Sequence, residues 1–268
     1  MKENVKDKKL KGALVTGGSR GIGYELAKLA AADGYNPVLV SRSEGKLKEV
    51  KEELESQYDV RGKVIPGDLS ETETPRSIYE ELKNGEFRID LLINNAGRGQ
   101  MGKFVDSKWE KDKEMMKLNM NAVVHLTKLF LPAMVRRGEG KILNVSSLAA
   151  FQPGPLMALY HATKSFVQSF SEALAEEVAK EGITVTALSP GPVDTDFQIE
   201  GDIPTDETDK AYVLSAERTA RAGYEGLKKG RRIVVPGPLT SVAPQLERFL
   251  PRRAVTKFVK KLNENRLD

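Results

Sequence analysis

The sequence predicts a doubly wound α/β fold, in which helices cover both faces of a parallel sheet. Short β-branched runs alternate with longer segments of helical periodicity along the chain, which is typical of parallel strands joined by helical crossovers. The apolar runs are nearly continuous, as expected of strands covered on both faces. No linker rich in Pro, Gly or Ser divides the core of the 268 residues, so we expect a single domain.

Seven runs are predicted as strands: "GALVTG" (12–17), "PVLVS" (37–41), "GKVIP" (62–66), "DLLIN" (90–94), "KILNVS" (141–146), "ITVTALS" (183–189) and "RRIVVP" (231–236). Six segments between them are predicted as helices: 22–32, 44–57, 72–84, 108–137, 157–181 and 216–229. A long irregular segment near 196–215 is typical of a lid over a site. We assign residues 1–240 to the main domain with this lid, and 241–268 to a C-terminal helical extension.

Composition excludes several classes of function. The net charge is +4, from 42 Lys and Arg against 38 Asp and Glu, and this surplus is too small and too dispersed to predict a nucleic-acid partner. The chain has no cysteine and two histidines, so we expect no disulfide and no metal site. The N-terminus does not resemble a signal peptide, and the apolar run at 122–135 is shorter than the ~20 residues of a spanning helix. We therefore expect a cytoplasmic protein.

A glycine-rich turn, "TGGSRGIG" (16–23), joins the first strand to the first helix. Glycines at 17, 21 and 23 allow a tight turn and a close approach of the backbone to a pyrophosphate. The free N–H groups at the start of the helix then favour the anion. By itself such a turn also occurs without a ligand.

Further motifs follow in a specific order. "NNAG" (94–97) ends the fourth strand, Asn119 lies in "KLNMNA", Ser147 ends "NVSS", "YHATK" spans 160–164, and "SPGPVDT" spans 189–195. Ser147 precedes Tyr160 by 13 residues and Asn119 precedes it by 41. Over residues 10–235 this set resembles the short-chain dehydrogenase/reductase family, and in particular a bacterial and archaeal subgroup similar to 3-ketoacyl and 17β-hydroxysteroid reductases.

The resemblance implies a Rossmann-type fold, an NADP(H)- or NAD(H)-dependent oxidoreductase acting on a carbonyl or alcohol, and a homodimer or homotetramer formed through the two long helices. It implies a catalytic set of Asn119, Ser147, Tyr160 and Lys164. The cofactor contacts that it implies are Gly17, Ser19, Arg20, Gly21, Ile22, Gly23, Ser41, Arg42, Asp68, Leu69, Asn95, Ala96, Gly97, Tyr160, Lys164, Pro190, Val193 and Thr195.

The spacing of Tyr160 and Lys164 has a physical reason. Residues i and i+4 share one face of a helix, so the ammonium of Lys164 can approach the phenol. A positive charge at about 4 Å, at an effective dielectric near 20, favours the phenolate by roughly 4 kcal/mol. We therefore expect the pKa of Tyr160 to fall from about 10 toward about 7, which suits a proton donor at neutral pH. His161 points to another side of the helix, and we expect it at the surface or in a helix contact.

The end of the second strand indicates the cofactor. A site for NAD holds an acidic residue there, which binds the ribose 2′-hydroxyl and would repel a 2′-phosphate. Here the strand ends in Ser41 and Arg42, while Arg20 lies in the glycine turn. Two arginines and no acid favour NADP(H).

Three questions stay open at the level of sequence. The substrate is predicted only as apolar, from apolar residues at 151–159 and in the lid. A sensor or scaffold that binds NADP(H) without turnover is the alternative function. The segment 247–268 holds seven Lys and Arg against three acids, with apolar residues at helical spacing beyond Pro251. It could pack on the protein itself, make weak contact with a membrane surface, or serve as a lid or oligomer contact.

Overall fold

The centre of the molecule is a seven-stranded parallel sheet. The computed structural model describes residues 9–197, 201, 203–204, 213–247 and 249–267. Its strands are β1 Leu10–Thr16, β2 Asn36–Ser41, β3 Lys63–Pro66, β4 Phe87–Asn94, β5 Gly140–Val145, β6 Ile183–Leu188, β7 Val193–Asp194, β8 Leu214–Ser215 and β9 Ile233–Val234. The main sheet has the order β3-β2-β1-β4-β5-β6-β9, and β7 pairs with β8 in a separate ladder.

The helices are α1 Gly21–Ala32, α2 Glu44–Gln57, α3 Thr74–Lys83, α4 Trp109–Met116, α5 Ala122–Arg137, α6 Ala158–Glu177, α7 Ala216–Lys228, α8 Pro238–Glu247 and α9 Arg252–Glu264. The predicted doubly wound fold is confirmed. The predicted helix 157–181 was too long, because α6 ends at Glu177 and a separate 3₁₀ turn follows. The helix α8 and the β7–β8 ladder were not predicted. Most of the predicted lid at 196–215 lies outside the described residues.

Helices cover both faces of the sheet because alternate strand residues point to opposite sides. On one face Val15 and Ile93 pack with side chains of α1, α2 and α7. On the other face Leu14 and Leu92 pack with side chains of α3, α5 and α6. These four strand side chains are fully buried, which explains why the strands appear in the sequence as continuous apolar runs.

The helices α4 and α5 form one continuous helix, Trp109–Arg137, through a π turn at Lys117–Asn121. Its 29 residues are long and apolar enough, by length and composition, to cross a membrane, while the apolar run at 122–135 is only a part of this helix. In the fold, its inner side chains Leu126, Phe130 and Met134 are buried against the sheet. Packing in the core accounts for the apolar side chains of this inner face.

A buried carboxylate ties β4 to the end of α5. The side chain of Asp90 is 1% exposed and contacts the guanidinium groups of Arg88 at 2.9 Å and Arg137 at 3.1 Å. Arg137 also donates to the carbonyl of Ile89. A buried charge is stabilised only while such partners remain.

We expect Arg137→Met to lower the free energy of unfolding by about 1.5–3 kcal/mol, because the buried carboxylate loses a charged hydrogen-bond donor. Urea denaturation measures the change. The matched control is Arg136→Met, whose exposed side chain should contribute less than about 0.5 kcal/mol. Equal stability of both variants would contradict this role of Asp90.

Candidate active site

The glycine turn lies where β1 ends and α1 begins. Gly17 has φ +65°, a conformation that favours glycine. A Cβ on Gly23 would lie 2.2 Å from the carbonyl oxygen of Gly17, so the helix can approach the strand only without a side chain there. The Asn95 amide holds the turn by donating to the carbonyls of Thr16 (2.9 Å) and Gly17 (3.2 Å). The Thr16 hydroxyl accepts from the backbone N–H of Asn95 in return.

The turn has the features of a phosphate site. Helix α1 begins at Gly21 with no side-chain capping bond and no acidic residue in its first turn. The N–H groups of this first turn are therefore available to bind an anion. At the end of β2, the hydroxyl of Ser41 is buried without a hydrogen-bond partner among the described residues. A free buried hydroxyl beside an uncapped helix fits a nucleotide.

Two arginines near this site, Arg20 and Arg42, lie close to carboxylates. The Arg20 guanidinium is 2.9 Å from the Asp196 carboxylate, so it joins the glycine turn to the segment that follows β7. Burial alone raises the pKa of Asp68, but hydrogen bonds from the hydroxyl and amide of Ser70 and the positive charges of Arg42 and Arg98 lower it below its usual value. Arg42 and Asp68 therefore lie close together after β2 and β3.

Other predicted contacts line the same edge of the sheet. A Cβ on Gly21 would lie 3.1 Å from Cγ2 of Thr195, which places the segment after β7 against the glycine turn. The Pro190 carbonyl accepts from the N–H of Leu148, just beyond Ser147. Leu69 and Val193 are buried, Ile22 and Ala96 pack against the core, and Ser19 is half-buried.

The four residues of the predicted catalytic set come together behind this edge. The hydroxyl of Ser147 makes a hydrogen bond with that of Tyr160. The Lys164 ammonium donates to the Val145 carbonyl at 2.9 Å and lies 5.9 Å from the centroid of the Tyr160 ring. Tyr160, Lys164 and Asn119 are all buried. The i, i+4 spacing thus places the tyrosine and the lysine on one face of α6, as predicted.

Asn119 lies on the π turn between α4 and α5. Its amide donates to the Arg98 carbonyl (2.9 Å) and to the Thr163 hydroxyl (3.0 Å), and its oxygen accepts from the Arg98 N–H. A Cβ on Gly97 would lie 3.2 Å from the Asn119 oxygen and 3.3 Å from the Lys164 nitrogen. Asn119 therefore ties the loop after β4 to α6 beside Lys164, and π turns often occur at such functional positions.

The expected pKa of Tyr160 was wrong for this structure. Burial raises the pKa of Tyr160 to about 12, and the hydrogen bond from Ser147 only partly opposes that rise. Burial also lowers the pKa of Lys164 to about 8. The attraction between the two charges would lower the pKa of Tyr160, but the cost of removing each charge from water outweighs it in the buried site.

Apolar side chains surround the tyrosine. Phe197 lies against it, with ring centroids 5.8 Å apart, and Ile203, Met115 and Met157 complete a small cluster. Phe197 and Ile203 belong to the predicted lid, so its described part does lie over Tyr160. The lid residues Ile199 and Tyr212 lie outside the described residues.

Several residues were misplaced or missed. His161 was expected at the surface or in a helix contact; it is buried, which excludes the surface, and its Nδ1 is 2.8 Å from the Gln152 carbonyl. Thr16, Thr163 and the Val145 carbonyl hold site residues by hydrogen bonds. Thr16 and Thr163 carried a signal only in that they lie inside the glycine-turn and Tyr160–Lys164 motifs. Within the described part of the chain, no group of three or more His, Asp or Glu side chains could hold a metal ion.

The family model for short chain dehydrogenases matches residues 11–203. The chain belongs to the short-chain dehydrogenase family. The very-long-chain 3-oxoacyl-CoA reductase of Anas platyrhynchos is 39% identical over 215 residues, covering 76% of this chain and 67% of that protein. The reductase of the same name from Rattus norvegicus is 34% identical over 266 residues, covering 95% of this chain and 81% of that protein.

Among solved structures, a short-chain dehydrogenase from Sphingobium yanoikuyae in complex with NADPH is 29% identical, with a TM-score of 0.80 over 87% of this chain and 91% of that one. The family, the Rossmann-type fold and the oxidoreductase class predicted from the sequence are confirmed.

The low pKa of Lys164 predicts a dependence of stability on pH. In the unfolded chain a lysine titrates near 10.4, so between about pH 8 and 10 the unfolded chain binds more protons than the folded one, and stability rises with pH. We expect the stability of the wild type relative to Lys164→Met to increase by about 2 kcal/mol from pH 7 to pH 10. Urea denaturation at both pH values measures this difference. The control is Lys128→Met, at an exposed position: the stability difference between the wild type and this variant should be the same at both pH values. If the difference for Lys164→Met were also the same at both, the pKa of Lys164 would not be lowered by burial.

Proposed function

We propose that this chain is an NADP(H)-dependent oxidoreductase that interconverts a carbonyl and an alcohol, with Tyr160 as the general acid and base. The observation that carries the proposal is the catalytic set of Ser147 with the buried Tyr160, Lys164 and Asn119, which lies beside an uncapped helix and a glycine turn. A sensor or scaffold would need the turn but would have no use for a buried proton donor. When bound, the reduced nicotinamide supplies a hydride to the carbonyl carbon.

The chain's own residues then manage the proton. At neutral pH Tyr160 holds its proton, because burial raises its pKa to about 12, so a donor is in place for the oxygen of a reduced carbonyl. The Ser147 hydroxyl, bonded to that of Tyr160, orients the same oxygen. The Lys164 ammonium supplies a positive charge beside the phenolate that forms, and Asn119 fixes the loop next to it.

The substrate is proposed as a carbonyl compound with an apolar chain. The cluster of Phe197, Ile203, Met115 and Met157 around Tyr160 would accept such a group. The 3-oxoacyl-CoA reductases among the relatives make 3-oxoacyl thioesters the first compounds to test. The experiment is a panel of 3-oxoacyl thioesters, cyclic ketones and sugars with both nicotinamides, followed by nicotinamide absorbance. The absence of turnover with every carbonyl would favour the sensor.

The assembly and the location follow as proposals. Trp109 on α4 is 60% exposed and Phe166 on α6 is 41% exposed, with the ring of Phe166 stacked on that of Phe170. Exposed aromatic side chains on neighbouring helices support a homodimer or homotetramer formed through α4, α5 and α6, which light scattering would measure.

A cytoplasmic location is supported by the absence of cysteine, since an oxidising compartment favours disulfides.

We expect Tyr160→Phe to lower turnover by about 10²–10⁴-fold, because the ring remains while the proton donor is lost. The affinity for NADPH should stay nearly unchanged, as measured by fluorescence titration. Tyr79→Phe, which changes a tyrosine packed on Phe130 away from the site, should keep wild-type turnover. A Tyr160→Phe enzyme with more than a tenth of wild-type turnover would remove Tyr160 from the mechanism.

We expect NADPH to bind at least about tenfold more tightly than NADH, because one charge-assisted contact to the 2′-phosphate contributes about 1.5–3 kcal/mol. Arg42 is assigned this contact, with Arg20 held nearby by Asp196. Arg42→Asp should reverse the preference by placing a carboxylate near the 2′-hydroxyl. Arg61→Asp, at an exposed arginine paired with Glu86, should leave it unchanged. Equal affinities in the wild type would argue against the assignment.

A further inference from the structure

One face of α9 packs on the protein itself. Val255, Val259 and Asn263 recur every four residues and are buried. The Asn263 amide donates to the Pro155 carbonyl at 2.8 Å, and Pro155 lies five residues before Tyr160. The C-terminal helix is therefore seated on the loop that leads into the helix of the catalytic tyrosine.

A second group of apolar side chains in the same region is exposed in the described part of the chain. Phe249 is 85% exposed and Phe258 is 64% exposed, and Leu250 and Leu262 are more than 40% exposed. We call these four residues the C-terminal ridge. Phe258 and Leu262 lie one turn apart on α9, next to the buried residues and not among them. Large apolar side chains that are exposed together mark a surface that binds something.

The charges around the ridge indicate what it binds. Helix α9 carries five basic residues, all exposed, and a single acid, Glu264, which pairs with Lys260. Lys257 and Lys261 lie one turn apart, each directly before a ridge residue. A second copy of the chain, docked ridge to ridge about a two-fold axis, would bring these like charges together, which disfavours that occupant. An anionic surface complements them.

We propose that the C-terminal ridge and the lysines beside it dock this protein on anionic membrane lipid. Exposed Phe and Leu side chains with flanking Lys and Arg are what a helix needs to lie in the headgroup region of a bilayer. The Asn263–Pro155 bond then places the loop before Tyr160 next to the docked surface. The inference rests on the C-terminal segment from Phe249 onward and not on the catalytic set, so it stands or fails independently of the proposed reaction.

The test is flotation of the full-length protein with vesicles of phosphatidylcholine alone or mixed with phosphatidylglycerol, without substrate. We expect binding only to the anionic vesicles, and loss of binding as salt rises from about 0.1 M to about 1 M and the screening length falls from about 10 Å to about 3 Å. Lys257→Glu/Lys261→Glu should weaken binding at least about tenfold. Lys46→Glu/Lys180→Glu, with the same change of charge at exposed positions elsewhere, should not.

The double variant Phe258→Ser/Leu262→Ser should also lose binding to the anionic vesicles. The conservative double variant Phe258→Leu/Leu262→Met, which keeps both side chains apolar, should still bind. These side chains are exposed, so the variants should melt at the temperature of the wild type. Three outcomes would overturn the proposal: a wild type that ignores anionic vesicles at low salt, ridge variants that bind as well as the wild type, or ridge variants that lower the solution mass, which would make the ridge a contact between copies.

Discussion

The parallel direction of all seven strands is the constraint on which the rest of the molecule depends. Because every strand of the sheet runs the same way, their carboxyl ends meet at a single edge, where ligands bind in open α/β sheets. The glycine turn follows β1, Asn95 and Gly97 follow β4, Ser147 follows β5 and Pro190 follows β6. Residues far apart in the sequence thus become neighbours at the carboxyl ends of the strands.

Burial decides the electrostatics at that edge. In a solvent-exposed pair one turn apart, a tyrosine and a lysine would each favour the charged form of the other. Here both are removed from water, and the pKa of each is shifted in the direction that favours its neutral form. The hydroxyl of Ser147 and the carbonyl of Val145 compensate only in part. At neutral pH the tyrosine keeps its proton, and the lysine, with a pKa of about 8, still carries its positive charge. This arrangement suits a reaction in which negative charge develops on a carbonyl oxygen.

The sequence was sufficient for most of the elements of the main sheet and for most of the site, because periodicity and motif spacing are local properties. The bounds of α2 were predicted to the residue, and the Tyr160–Lys164 pair follows from helix geometry alone. What the sequence could not indicate depends on contacts across the sheet. The partner of Arg20 is Asp196, 176 residues away, and the burial of His161 under the loop at 152–154 depends on tertiary packing. The pKa predicted for Tyr160 was wrong for the same reason, because desolvation depends on the whole fold and not on the spacing of Tyr160 and Lys164 in the sequence.

The bond between Thr16 and Asn95 has a consequence for how the protein folds. It joins residues 79 positions apart, so the glycine turn acquires its shape only after β1 and β4 have paired across the intervening β2–α3 segment. Non-local pairing of this kind is slow to form, and no short N-terminal fragment can assemble the nucleotide site alone. The unfolded chain therefore has little affinity for a nucleotide. A nucleotide that binds the folded chain and not the unfolded one stabilises the whole fold, and the stabilisation grows with the logarithm of its concentration.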